Sequence, residues 1–189
     1  WSSAHGFDVD GLTIEVVFSE GLDKKVYSVN GSVLDYANLP VDYKPEIVPC
    51  DDVIYKVEVK NGADRTQDLN FAVLRDELPT IFGTSAIVYK ESISDANATK
   101  KDAVDGSIIL DENVTLKPGN SKTYFVKVTV SDTAGPGTYT NTAIVMKNAS
   151  DEKPYMIDDA DVIIPQTYTV SYSYNNTVPG APALPDSVT

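Results

Sequence analysis

At 189 residues the chain is long enough for one sizeable domain with attached pieces, and a domain of ~150 residues buries roughly 70% of its unfolded surface with no staple to hold it. Its 28 acidic and 15 basic residues leave a net charge of −13, which argues against nucleic acid as a partner because phosphate binding rests on clustered Lys and Arg. A single cysteine, Cys50, excludes an internal disulfide, and no apolar run approaches the ~18 residues of a membrane span.

Residues 1–11 are small, polar and unpatterned. In residues 12–20, Leu12, Ile14 and Val16 alternate with Thr13 and Glu15 and predict a strand. Residues 24–29 (KKVYSV) repeat the pattern and end in the turn signal Asn30-Gly31, so the two runs read as a hairpin separated by Gly21-Leu22-Asp23. Residues 36–45 hold two prolines and read as a connection or an edge strand. Residues 1–40 are thus either the tail of a preceding module or strands added to the main one.

The main module is predicted over residues 41–165. Along residues 53–60, Val53, Tyr55, Val57 and Val59 fall on one face, a period of two that marks a strand half-buried against a core. The turn Asn61-Gly62-Ala63-Asp64 leads to a second strand ending in Asp76-Glu77-Leu78-Pro79. Residues 85–89 predict a third strand, and the polar residues 91–106 a loop. A short strand then precedes the turn Lys117-Pro118-Gly119-Asn120 and a long strand with Tyr124, Val126, Val128 and Val130 on one face. Residues 138–146 and 161–164 supply the last strands before Pro165. Short strands at regular spacing, with Gly and Pro turns and no helical period, indicate an all-β sandwich. From residue 166 the composition shifts. Residues 167–174 place Tyr168, Val170, Tyr172 and Tyr174 on one face, and a Pro-rich run follows, so 166–189 reads as a linker and the truncated start of a further β module. The opening at Trp1 likewise reads as that of a trimmed piece of a longer chain.

The run Val48-Pro49-Cys50-Asp51-Asp52-Val53-x-Tyr55-x-Val57-x-Val59-x-Asn61 resembles the opening of the bacterial "conserved repeat" family, domain-of-unknown-function eleven. Three further anchors follow in the family's order: Asp76-Glu77-Leu78-Pro79, Leu116-Lys117-Pro118-Gly119, and Gly137-Thr138-Tyr139-Thr140-Asn141-Thr142-Ala143. Cys50 departs from the family's Gly. The resemblance implies an immunoglobulin-like antiparallel β-sandwich, strung in series with neighbouring modules of the same polypeptide in bacterial cell-surface proteins, with no enzyme activity and no cofactor. Residues 168–182 are similar to the start of streptococcal high-identity repeats in tandem and of mucin-binding-like repeats. Together these imply an extracellular stalk or adhesin segment at the cell wall or cell surface. The alternatives are a module that itself binds a host glycan or matrix protein, and a fibre subunit whose strand Leu12–Phe18 is donated to a neighbour.

Candidate sites are sparse. The lone histidine, His5, lies in the unpatterned start, and Asp51-Asp52 is one acidic pair in a chain full of carboxylates. Asp158, Asp159 and Asp161 group hard oxygen ligands as a calcium candidate, although a Gly-rich calcium loop is absent. The tyrosine face of 168, 172 and 174 is first of all a core face and second a glycan platform. Sequons at Asn30, Asn97, Asn113, Asn148 and Asn175 matter only in a eukaryotic secretory host. Resemblance to pilin and adhesin sandwiches raises one further chemistry, an isopeptide bond in which a buried first-strand Lys attacks a last-strand Asn beside an acid. The residues matching those places are Lys44, Asp76 and Asn141, with structural hydrogen bonding as the competing role for Asp76 and Asn141.

Overall fold

A computed structural model describes residues 7–9, 12–14 and 20–168. Two short strands, β1 (Phe7–Val9) and β2 (Leu12–Ile14), pair antiparallel. The remaining strands are β3 (Glu20–Val29), β4 (Ser32–Val33), β5 (Asp52–Asn61), β6 (Leu69–Glu77), β7 (Ser85–Lys90), β8 (Ala98–Asp102), β9 (Ser107–Leu116), β10 (Ser121–Thr129), β11 (Gly137–Met146) and β12 (Met156–Ile164). They form two antiparallel sheets, a six-stranded one in the order β4-β3-β5-β10-β7-β8 and a four-stranded one in the order β12-β11-β6-β9. The fold is an all-β sandwich.

Alternation builds the core. On β5, Val53, Tyr55, Val57 and Val59 are fully buried, and on β10 Tyr124, Val126 and Val128 face them from the neighbouring strand. The four-stranded sheet closes the layer with Leu74, Ile108, Leu110, Ala143, Val145 and Val162. Cys50, exposed and unbonded, has φ of 72° in the tight turn before β5, a backbone region that favours glycine. That is the residue type the resembled family carries there.

The first strands differ from expectation. Residues 20–29 form one continuous strand, with Gly21-Leu22-Asp23 inside it rather than in a turn, and this strand pairs with β5 from Glu20 to Val29. Of the two placements open for residues 1–40, residues 20–33 are therefore part of the sandwich. The β3–β5 register shifts between Val26 and Ser28, while Lys24, Val26 and Ser28 all stay buried. Residues 34–47 then cross from the β3 side of one sheet to the β12 side of the other. Tyr36 donates its hydroxyl to the Val26 carbonyl at 2.9 Å, and buried Ile47 donates its amide to the Ile163 carbonyl at 2.8 Å. His5 and residues 169–189, with Tyr172, Tyr174 and Asn175, lie outside the described residues, as do residues 15–18 of the donor-strand candidate.

Candidate functional site

Three polar side chains meet inside the sandwich. Lys24 comes from β3 of the six-stranded sheet, and Asp76 and Asn141 come from the adjacent strands β6 and β11 of the other. Each sits in phase with apolar neighbours, Lys24 with Val26, Asp76 with Leu74, and Asn141 with Ala143 and Val145, so strand alternation carries each inward. On the paired strands Asp76 stands opposite Ala143, two residues from Asn141. The side chains of Lys24 and Asp76 expose no surface to solvent, and Asn141 is fully buried as well.

One carboxylate holds the group together. Lys24 Nζ donates a short hydrogen bond to Asp76 Oδ1, and Asn141 Nδ2 donates to Asp76 Oδ2 at 3.3 Å. Asn141 Oδ1 is buried and has no partner. A neutral acceptor stranded in the core costs about 1–3 kcal/mol, and an ion pair taken out of water is a poor source of stability. Such an arrangement calls for a chemical reason. Burial drives the Lys24 amine below its ordinary value, against the pull of Asp76 and, more weakly, of Asp158 and Asp159. The ring of Tyr55 lies 4.9 Å from Lys24 Nζ and packs edge-on against Phe82, which seals the inner side of the group. On the outer side, a cleft of about 190 Å³ bordered by Lys24, Tyr36, Val41, Tyr43, Lys44 and Asp161 leads to the surface.

The structure brings Asp76 and Asn141 together, as the sequence proposal requires, but replaces its lysine. Lys44 is 40% exposed and forms an ion pair with Asp161 Oδ2 at 2.5 Å. The Asp161 hydrogen bond holds its ammonium above the ordinary range, which leaves a charged and non-nucleophilic amine. The lysine beside Asp76 is Lys24. Its signal in the sequence is the alternation of KKVYSV, which sets Lys24 in register with Val26 and Ser28 on the inward face.

The aspartates proposed for calcium do not converge. Alternation along β12 points Asp158 to the opposite side from Asp159 and Asp161. Asp161 accepts from Lys44 and from Thr140 Oγ1 at 2.6 Å, and Asp158 Oδ2 accepts the main-chain N–H of Lys24 at 2.7 Å. No cluster of three or more His, Cys, Asp or Glu able to hold a metal occurs among the described residues. The pair Asp51-Asp52 is likewise engaged locally, Asp51 with Asn30 and the Val48 amide, Asp52 with Thr129 and Lys127.

Comparison with protein-family profiles and with curated proteins yields no match. Among solved structures the chain is similar to an enzyme of macrocyclization in alchivemycin A biosynthesis, at 11% identity and TM-score 0.44, over 90% of this chain and 100% of that one. It is also similar to the sporulation control protein Spo0M of Bacillus subtilis, at 13% identity and TM-score 0.40, over 80% of this chain and 51% of that one. A third is a collagen-binding domain of a Staphylococcus aureus adhesin, at 9% identity and TM-score 0.34, over 78% of this chain and 98% of that one.

Proposed function

We propose that this chain is a non-enzymatic structural module of a bacterial cell-surface, adhesin-like protein, stiffened by an isopeptide bond that it forms within itself between Lys24 and Asn141. The observation that carries the reading is the buried Lys24–Asp76–Asn141 group with its orphaned amide oxygen. The four sequence anchors shared with the bacterial conserved-repeat family support the surface setting.

The chemistry follows from the contacts. Asp76 takes a proton from the Lys24 ammonium, leaving a neutral amine and a carboxylic acid, an exchange that burial favours because it removes two charges from a low-dielectric core. The acid then hydrogen-bonds to Asn141 Oδ1, once the amide turns its oxygen toward Asp76, and so satisfies the stranded acceptor while polarising the carbonyl. Lys24 Nζ attacks Asn141 Cγ, and a new C–N bond forms. Asp76 relays the proton released by the amine to Nδ2, the Cγ–Nδ2 bond breaks, and one ammonia leaves by way of the cleft beside Lys24. Asp76 ends as the carboxylic acid, keeping the proton it first took from the Lys24 ammonium, and no outside reactant is consumed. The event happens once per chain.

Intact mass under denaturing conditions tests this. The wild-type chain and Lys44→Ala are expected to be lighter than calculated by one ammonia, and Lys24→Met and Asn141→Ala to carry their full calculated mass. Full mass in the wild type sinks the proposal.

A further inference from the structure

The seam at which Lys24 sits has an unusual construction. β12 is the edge strand of one sheet, and β3 is bordered on its outer side only by the two-residue β4 at Ser28 and Val29; no backbone ladder joins β3 to β12, since β12 pairs with β11 and β3 with β5 and β4. At Lys24 the amide that would serve such a ladder is instead taken by a side chain, Asp158 Oδ2, at 2.7 Å. Asp158 is half-buried, and burial pushes its carboxyl upward. The charged groups facing it are Asp23 and the Lys24 ammonium on β3 and Asp159 on its own strand. A carboxylate held in that setting meets a cost that an exposed one does not.

The bond has a geometric consequence. Asp76 and Asn141 belong to the sheet of β12, and Lys24 to the other sheet. The height of the Lys24 main chain against that second sheet sets how far its amine stands from Asn141 Cγ. We propose that Asp158 is the positioning residue of the crosslinking step, holding the main chain of Lys24 so that its amine is aligned on the Asn141 amide. This rests on the crosslink reading above. What Asp158 contributes is its acceptor oxygen and not its charge, because a negative group near Lys24 favours the unreactive ammonium.

The test uses full-length chain recovered unfolded and uncrosslinked, refolded by dilution into buffers across a pH series. Folding is followed by Trp and Tyr fluorescence, and crosslinking by intact mass of quenched samples. Asp158→Ala, which removes the acceptor, is expected to crosslink roughly 10- to 100-fold more slowly per folded molecule, the loss that a displacement near 1 Å brings to an aligned reaction. Asp158→Asn keeps an acceptor and drops the charge. It is expected to react near the wild-type rate, with a pH–rate profile displaced toward lower pH because Asp76, Asp159 and the face of the Tyr55 ring are then left to hold the Lys24 proton against burial. A folded Asp158→Ala that keeps pace with wild type overturns the positioning role, and so does an Asp158→Asn as slow as the alanine variant. A wild type that folds and keeps its ammonia overturns the crosslink, and this role with it.

Discussion

Two asparagines are buried in the same sandwich and are treated in opposite ways. Asn61, 2% exposed, gives both protons of Nδ2 away, to the carbonyls of Gln67 and Leu116 at 2.9 Å each. Leu116 belongs to the sheet opposite that of Asn61, so this amide pins β5 to the end of β9 across the core. Asn141 makes one long bond, and its oxygen makes none. The first amide is locked, and the second is left with a carbonyl free to be polarised and a weakly held nitrogen free to leave. Asn61→Ala strands the buried Leu116 carbonyl and frees that of exposed Gln67, and is expected to cost about 1–3 kcal/mol, read as a lower urea midpoint at unchanged slope. A loss within a few tenths of a kcal/mol would mean that water replaces the amide and that the pin is not structural.

At the other flank of the sandwich, the sheets are joined by charge. Asp111 on β9 accepts from Tyr124 hydroxyl at 2.6 Å, from Lys122 at 3.0 Å and from Lys90 at 3.2 Å, so strands β7 and β10 of one sheet converge on one carboxylate of the other. Burial alone would raise the Asp111 carboxyl, but these bonds outweigh it and hold it at about 2, against 3.8 in an unfolded chain. A folded value below the unfolded one means the stabilisation is fully present above 3.8 and is lost as pH falls toward 2. Stability of the wild type is therefore expected to fall more steeply through that window than stability of Asp111→Asn, measured by urea midpoints at successive pH values, and parallel slopes would remove the clamp. These clamps differ in how far the sequence exposes them. The buried face of β5 and the Tyr124, Val126 and Val128 face of β10 follow from alternation and were legible, whereas Asn141 was reached only through the resembled family's last-strand position. Asp76 was legible only through its Asp-x-Leu-Pro setting, because burial along β6 changes from odd to even positions between Phe71 and Leu74, close to where its register with β9 slips. Lys24 was read as part of a strand but not as buried, since a lysine in an alternating run belongs by default to the solvated face. Asp158 was read for its charge, whereas its use is a bond to the backbone of a strand more than a hundred residues away, which no local pattern encodes.

For the whole molecule, what matters is which strands the proposed crosslink would join. Lys24 lies near the start of the sandwich and Asn141 on its second-last strand, in opposite sheets, so the bond would both staple the two layers and bridge the chain between residues 24 and 141. In a module strung between neighbours, tension enters before β3 and leaves after β12. It would then pass through the isopeptide, and the strands from β5 to β10 would bear almost none of it. Closing so long a loop also restricts the unfolded chain, which in the loop-entropy account contributes about 5 kcal/mol. Single-molecule stretching with handles on both termini should therefore separate wild type from Lys24→Met. The variant is expected to release its full contour length, and the wild type to withhold roughly 400 Å of it, the extended span of the bridged segment. Equal extensions from a wild type already shown to have lost its ammonia would mean that the bond closes elsewhere, since a covalent link between residues 24 and 141 leaves that segment no way to lengthen.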